Sequence, residues 1–288
     1  MTQNEPELIT TANLTDDIIS PKSAYPNIKS VVTLFFVFVL YSIALGVLFG
    51  IALIILDSLH VKSQLLESLF NLLVYIMSQL LLIRYAIKKS KKQSPQSVRI
   101  NFKKIKIGLI PVFIITAVAL IVLLDKTTSW IPMPVWVQKF FEKAFTKDVF
   151  SIATVTIAAP ILEEILARGI VLKGLLKNYP PYKSILISAI FFSALHLNPW
   201  QAIPAFIGGL FLGWVYYRTQ SVISGIIIHA AINVTATLLL FLPKHAEGFY
   251  DLLGPTYYII AFLLSAIILF VGCKIIAKAS SAPAVVTY

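Results

Sequence analysis

Glu163 and Glu164 stand side by side inside an apolar stretch, residues 149–172, that also holds Arg168. Successive residues of a helix point about 100° apart, so the two carboxylates face different ways. Arg168 follows Glu164 by four residues, shares its face and can pair with it. Glu163 has no cation on that helix. His196 closes a second apolar stretch, in Phe192-Ser193-Ala194-Leu195-His196, and His229 lies in a third, four residues before Asn233. That spacing puts His229 and Asn233 on one helical face. Peptide hydrolysis needs a base for water, a proton donor for the leaving amine and donors for the oxyanion. Glu163 can serve as the base, and His196 can orient the water or help bind a metal. His229 and Asn233 can donate to the oxyanion. The sequence contains no His-Glu-x-x-His, so ordinary zincin chemistry is not expected.

Each of these residues also has a purely structural reading. A buried Glu164–Arg168 pair can fix helix register, and a lone membrane histidine often just bonds a neighbouring helix. Taken together they weigh differently, because a charge in a span costs about 2.5–3.5 kcal/mol on insertion scales and tends to be retained for function.

The elements that must carry these residues are membrane helices. Hydrophobic residues make up 58% of the 288-residue chain and charged residues 13%, with a mean hydropathy of +0.86. Soluble domains are nearer 45–50% apolar and about 25% charged. Apolar runs at 31–56, 66–87, 107–124, 149–172, 184–197, 200–217, 222–242 and 252–273 predict an all-α, polytopic bundle of about eight spans, the fifth short. Gly208, Gly209 and Gly213 give the sixth a small-residue stripe for close helix approach. Four segments are expected: a polar tail at 1–30, spans and an interfacial helix at 31–148, a catalytic core at 149–242, and a last span with its tail at 243–288.

The net charge of +11 comes from cations between the apolar runs and not on one basic face, which argues for a lipid bilayer and against nucleic acid as partner. Eight Lys and Arg residues fall between Lys88 and Lys106, so that loop is expected in the cytoplasm, and both termini with it, in a multi-pass protein of the cell membrane. Counted inward from the same side, Glu163 and Glu164 lie about 12–14 Å deep, His229 about 10–12 Å and His196 nearer 20 Å. Between spans three and four, Trp136, Val137, Phe140, Phe141, Ala144 and Phe145 share one face; a helix lying in the interface and a loop packed on the bundle both fit. The first thirty residues carry Glu5, Glu7, Asp16 and Asp17 with no apolar core, so no cleavable signal peptide is expected. The one cysteine, Cys273, excludes an intrachain disulfide and a Cys-rich zinc site.

The run Glu163-Glu164-Ile165-Leu166-Ala167-Arg168, then Phe192-x-x-x-His196, then His229-x-x-x-Asn233, resembles the CAAX prenyl protease and bacteriocin-processing family of intramembrane endopeptidases, also called the Abi family. Gly209, Gly213, Tyr216, Arg218 and Ser221 match its linker, and the resemblance covers about residues 149–242. It implies a glutamate-dependent protease, often described as a metalloprotease, with a site open to the cytoplasm and a membrane-associated protein or peptide as substrate. Glu163 with His196 would activate water, His229 with Asn233 would hold the oxyanion, and Glu164 and Arg168 would orient Glu163. A divalent metal such as zinc would be held by Glu163, His196 and His229. The alternative is a non-catalytic bacteriocin-immunity or sensor protein on the same scaffold. A transporter with Glu163 as proton relay would call for inverted repeats, whereas the polar residues cluster in the second half only.

Overall fold

The computed structural model describes residues 24–61, 63–93, 99–242 and 248–280. The expected tail at 1–30 falls largely outside these residues. Nine helices follow one another without a strand among the described residues: α1 (Ile28–Ser58), α2 (Gln64–Gln93), α3 (Ile110–Leu124), α4 (Val135–Ala144), α5 (Val149–Leu175), α6 (Pro181–Ala194), α7 (Pro199–Thr219), α8 (Val222–Leu239) and α9 (Phe249–Ala279). The fold is an all-α polytopic bundle. Six helices, α1, α2, α3, α5, α8 and α9, are long and apolar enough to cross a bilayer. The other two expected spans are α6, with 14 residues, and α7, with 21 residues of lower hydropathy. Leu40 and Phe36 on α1 and Phe270 on α9 are at least 60% exposed, as a lipid-facing surface requires.

α5 runs through the middle, touching α2, α6 and α8. One buried cluster joins α1, α2, α5 and α6 around Leu34, Leu82, Leu166 and Phe191. A second joins α3, α7, α8 and α9 around Phe113, Leu212, Ile228 and Ile276. α7 lies close on α6 because a Cβ on Gly209 would meet Ala189 at 3.2 Å and one on Gly213 would meet Ile185 at 3.1 Å. Gly208, the third glycine of the stripe, faces open space.

α5 is not a regular α-helix. Thr154–Ala158 and Ile165–Leu172 are π-helical, and the short α-helical stretch between them, Ala159–Glu164, carries the paired carboxylates. Such wide turns recur at functional sites. At the first one the Ala159 N–H reaches back to the Thr154 carbonyl. The next donor in that pattern would be residue 160, but Pro160 has no N–H. The Val155 carbonyl is thereby freed, and Asn233 on α8 donates its Nδ2–H to it at 2.8 Å.

The two ends of the bundle differ. Residue 24, the chain after α2, the α5–α6 turn, the α7–α8 turn and Ser280 gather at one end. There Ala24 bonds Asn178 at 2.8 Å, Val222 bonds Asn101 at 2.9 Å, and Arg218 donates to the Ala277 and Ser280 carbonyls. The α1–α2 turn, α4 and the start of α5 lie at the other end, where Ser68 donates to Asp148 at 2.6 Å.

Candidate active site

α6 is about 21 Å long, too short to cross. Starting from the lysine-rich end, it stops inside the bundle, and the α6–α7 turn sits there with it. Leu197 takes a left-handed backbone (φ 56°), and Asn198 closes the turn by accepting from the Gln201 N–H and donating to the His196 carbonyl at 2.7 Å. Irregular backbone at membrane depth survives where it is buried in protein or lines a cavity, and His196 lines one here.

That cavity has a volume of about 1330 Å³ and is walled by Tyr75, Gln79, Glu163, His196, His229 and Asn233. Glu163 is 13% exposed, and its Oε2 lies 3.9 Å from His229 Nε2. Its Oε1 accepts a hydrogen bond from the Tyr75 hydroxyl at 2.7 Å. Glu164 is fully buried on the other face, as the helical spacing predicts. Its Oε1 accepts from Arg168 Nη1 at 2.6 Å and from His229 Nδ1 at 3.2 Å. Gly225 makes room for this carboxylate, since a Cβ there would collide with Glu164 Oε2. Arg168, also fully buried, donates from Nη2 to the Gly209 carbonyl at 3.1 Å and stacks on Phe192, 4.6 Å from the ring centre. Phe192 meets both imidazoles edge-on.

The hydrogen bonds set the tautomers. A carbonyl only accepts, so His196 donates Nδ1–H to Phe192 O at 3.1 Å and keeps a lone pair on Nε2. An ionised Glu164 only accepts, so His229 donates Nδ1–H to it and turns Nε2 toward Glu163. His229 can therefore donate to an oxyanion only as the imidazolium. Asn233 has one amide N–H committed to Val155 and one left over.

All six expected residues belong to this assembly. His229 Nε2 stands 3.9 Å from Glu163 Oε2, and His196 lines the same cavity. Among the described residues no three His, Cys, Asp or Glu side chains gather closely enough to hold a metal ion. Glu163, His196 and His229 all line the one cavity. Three contributors were not singled out from the sequence. They are the Tyr75 hydroxyl, Gln79 one turn further along α2, and the Val155 carbonyl. A polar run, Tyr75 with Ser78 and Gln79, in an otherwise apolar span was the available signal.

The cavity also runs past Met133, Gln138, Phe141, Glu142, Thr146 and Ser151, all at the α4 end. Among the described residues, none of the lysine-rich end lines it. The cavity's lining at Met133, Gln138 and Thr146 thus lies at the opposite end of the bundle from the described part of the Lys88–Lys106 loop. α4 is a helix, with Trp136 and Phe140 turned outward at 74% and 64% exposure and Phe141 toward the cavity.

Residues 145–235 match the family model described as Rce1-like, type II CAAX prenyl endopeptidase. This segment is similar to that family. It holds Glu163, Glu164, Arg168, His196, His229 and Asn233, and it leaves out α1 to α4 and α9. No curated protein and no solved structure matches the chain. The six apolar helices describe a multi-pass membrane protein, and its residues 145–235 are similar to a family of endopeptidases.

Proposed function

We propose that this chain is an intramembrane endopeptidase that hydrolyses a peptide bond with a water activated by Glu163. The observation that carries the reading is the 3.9 Å gap between Glu163 Oε2 and His229 Nε2 at the wall of a large cavity. The gap is too long for a direct hydrogen bond and short enough for one water to bridge. Glu163 takes a proton from that water as its oxygen attacks the carbonyl carbon. The free N–H of Asn233 donates to the oxyanion that forms. The C–N bond then breaks, and the proton held by Glu163 passes to the leaving amine. The Glu164–Arg168 pair holds His229 by Nδ1, so that Nε2 stays on the Glu163 side.

The substrate is a membrane-associated protein or peptide, and a prenylated Cys-aliphatic-aliphatic-X terminus is the chemistry that the matched family's name supplies. The lysine-rich loop argues for its own placement in the cytoplasm, which would open the cavity to the external side. The test is to compare peptide termini in membranes of cells carrying wild type and Glu163→Ala. A set of new termini that vanishes in the variant supports the reading; identical sets in equally expressed proteins count against it.

A further inference from the structure

Tyr75 and Gln79 lie one turn apart on α2, outside residues 145–235. The Tyr75 hydroxyl donates to Glu163 Oε1 at 2.7 Å, and the Gln79 side chain lies against the same hydroxyl. Gln79 is 1% exposed, and its Oε1 has no hydrogen-bond partner among the described residues. Both residues line the cavity.

A glutamate carboxyl turns readily about its last torsion, which has no sharp staggered wells. Left alone, either oxygen could meet the water. With Oε1 held by Tyr75, Oε2 is the oxygen that faces His229 Nε2. A span made only for lipid would fill this position equally well with phenylalanine, and the hydroxyl is directed at the one paired carboxylate that has no arginine. We propose that Tyr75 is a positioning residue for Glu163, supplied by α2 from outside the Rce1-like segment, with Gln79 bracing its hydroxyl. The inference rests on Glu163 being the base.

The test uses purified full-length protein in lipid nanodiscs. The probe is a quenched fluorogenic peptide ending in a prenylated Cys-aliphatic-aliphatic-X sequence. Tyr75→Phe keeps the ring and removes the donor. It is expected to lower kcat between about tenfold and a hundredfold, the worth of a hydrogen bond to a charged group, with KM and thermal stability kept. Glu163→Asp draws the carboxylate one methylene away from the hydroxyl, so adding Tyr75→Phe to it should cost nothing further. Equal losses in both backgrounds, or a raised KM with kcat kept, would overturn the positioning role. If Glu163→Gln is inactive while Tyr75→Phe turns over like wild type, this inference alone falls. If Glu163→Gln cleaves the peptide as fast as the wild type, or the wild type does not cleave it, the proposed function falls and takes this inference with it.

Discussion

At Arg168 a full positive charge is held without solvent by one carboxylate, one carbonyl and one ring face. Removing it leaves Glu164 buried and unpaired. Arg168→Ala should lose about 3–5 kcal/mol of stability, read as a lower unfolding midpoint in detergent, with activity lost alongside. Asn233 has two tasks where its spacing suggested one. Asn233→Ala should lower turnover by about 10²–10³ through the oxyanion and also cost about 1–3 kcal/mol, because the Val155 carbonyl is left without its donor. Unchanged stability in Asn233→Ala would remove the second task. Glu163, Glu164, Arg168, His229 and Asn233 were legible because charge and amide groups stand out in apolar runs. Tyr75 was not, since tyrosine is ordinary in a span and its partner lies 88 residues away. The Val155 carbonyl was hidden as well, because it is freed only when the helix widens just before Pro160.

Among the elements, α5 depends on how it begins. Asp148 caps it, with Oδ1 accepting from the Phe150 and Ser151 N–H groups and Oδ2 from the Ser68, Thr146 and Ser151 hydroxyls. Burial pushes this carboxyl up, but the hydrogen bonds outweigh it and hold the group well below the usual carboxylate range. Because its folded value is depressed, its stabilisation is complete above the unfolded value of about 3.9 and is lost as pH falls below that. Asp148→Ala should therefore lower the unfolding midpoint by the equivalent of about 2 kcal/mol near neutral pH. The difference from wild type should narrow below about pH 4. A difference that stays constant down to pH 3 would show that the cap does not act through its charge. The shortness of α6 was readable from its apolar length. That this shortness sets a turn and His196 inside the bundle was not, because length alone does not say from which end a helix is measured.

For the whole molecule, the eight apolar runs correspond to eight helices, and their bounds move by a few residues where charged ends extend α2 and α9 beyond the apolar stretch. The mouth of the cavity could not be read from the runs, since it depends on which ends α4, α5 and α8 bring together. Its position turns the orientation into a functional question. With the lysine-rich loop in the cytoplasm, a reporter active only outside should be silent after Lys92 and active after Lys143. The site would then take its substrate from the external face. Reversed signals would give cytoplasmic access and contradict the charge-based orientation. The central claim is chemical, and turnover of the purified Glu163→Gln variant in nanodiscs tests it most directly. The amide keeps the shape and cannot take a proton, so cleavage should fall by about 10²–10⁴ while the unfolding midpoint stays at the wild-type value. A stable Glu163→Gln protein that cleaves as fast as wild type would contradict the account.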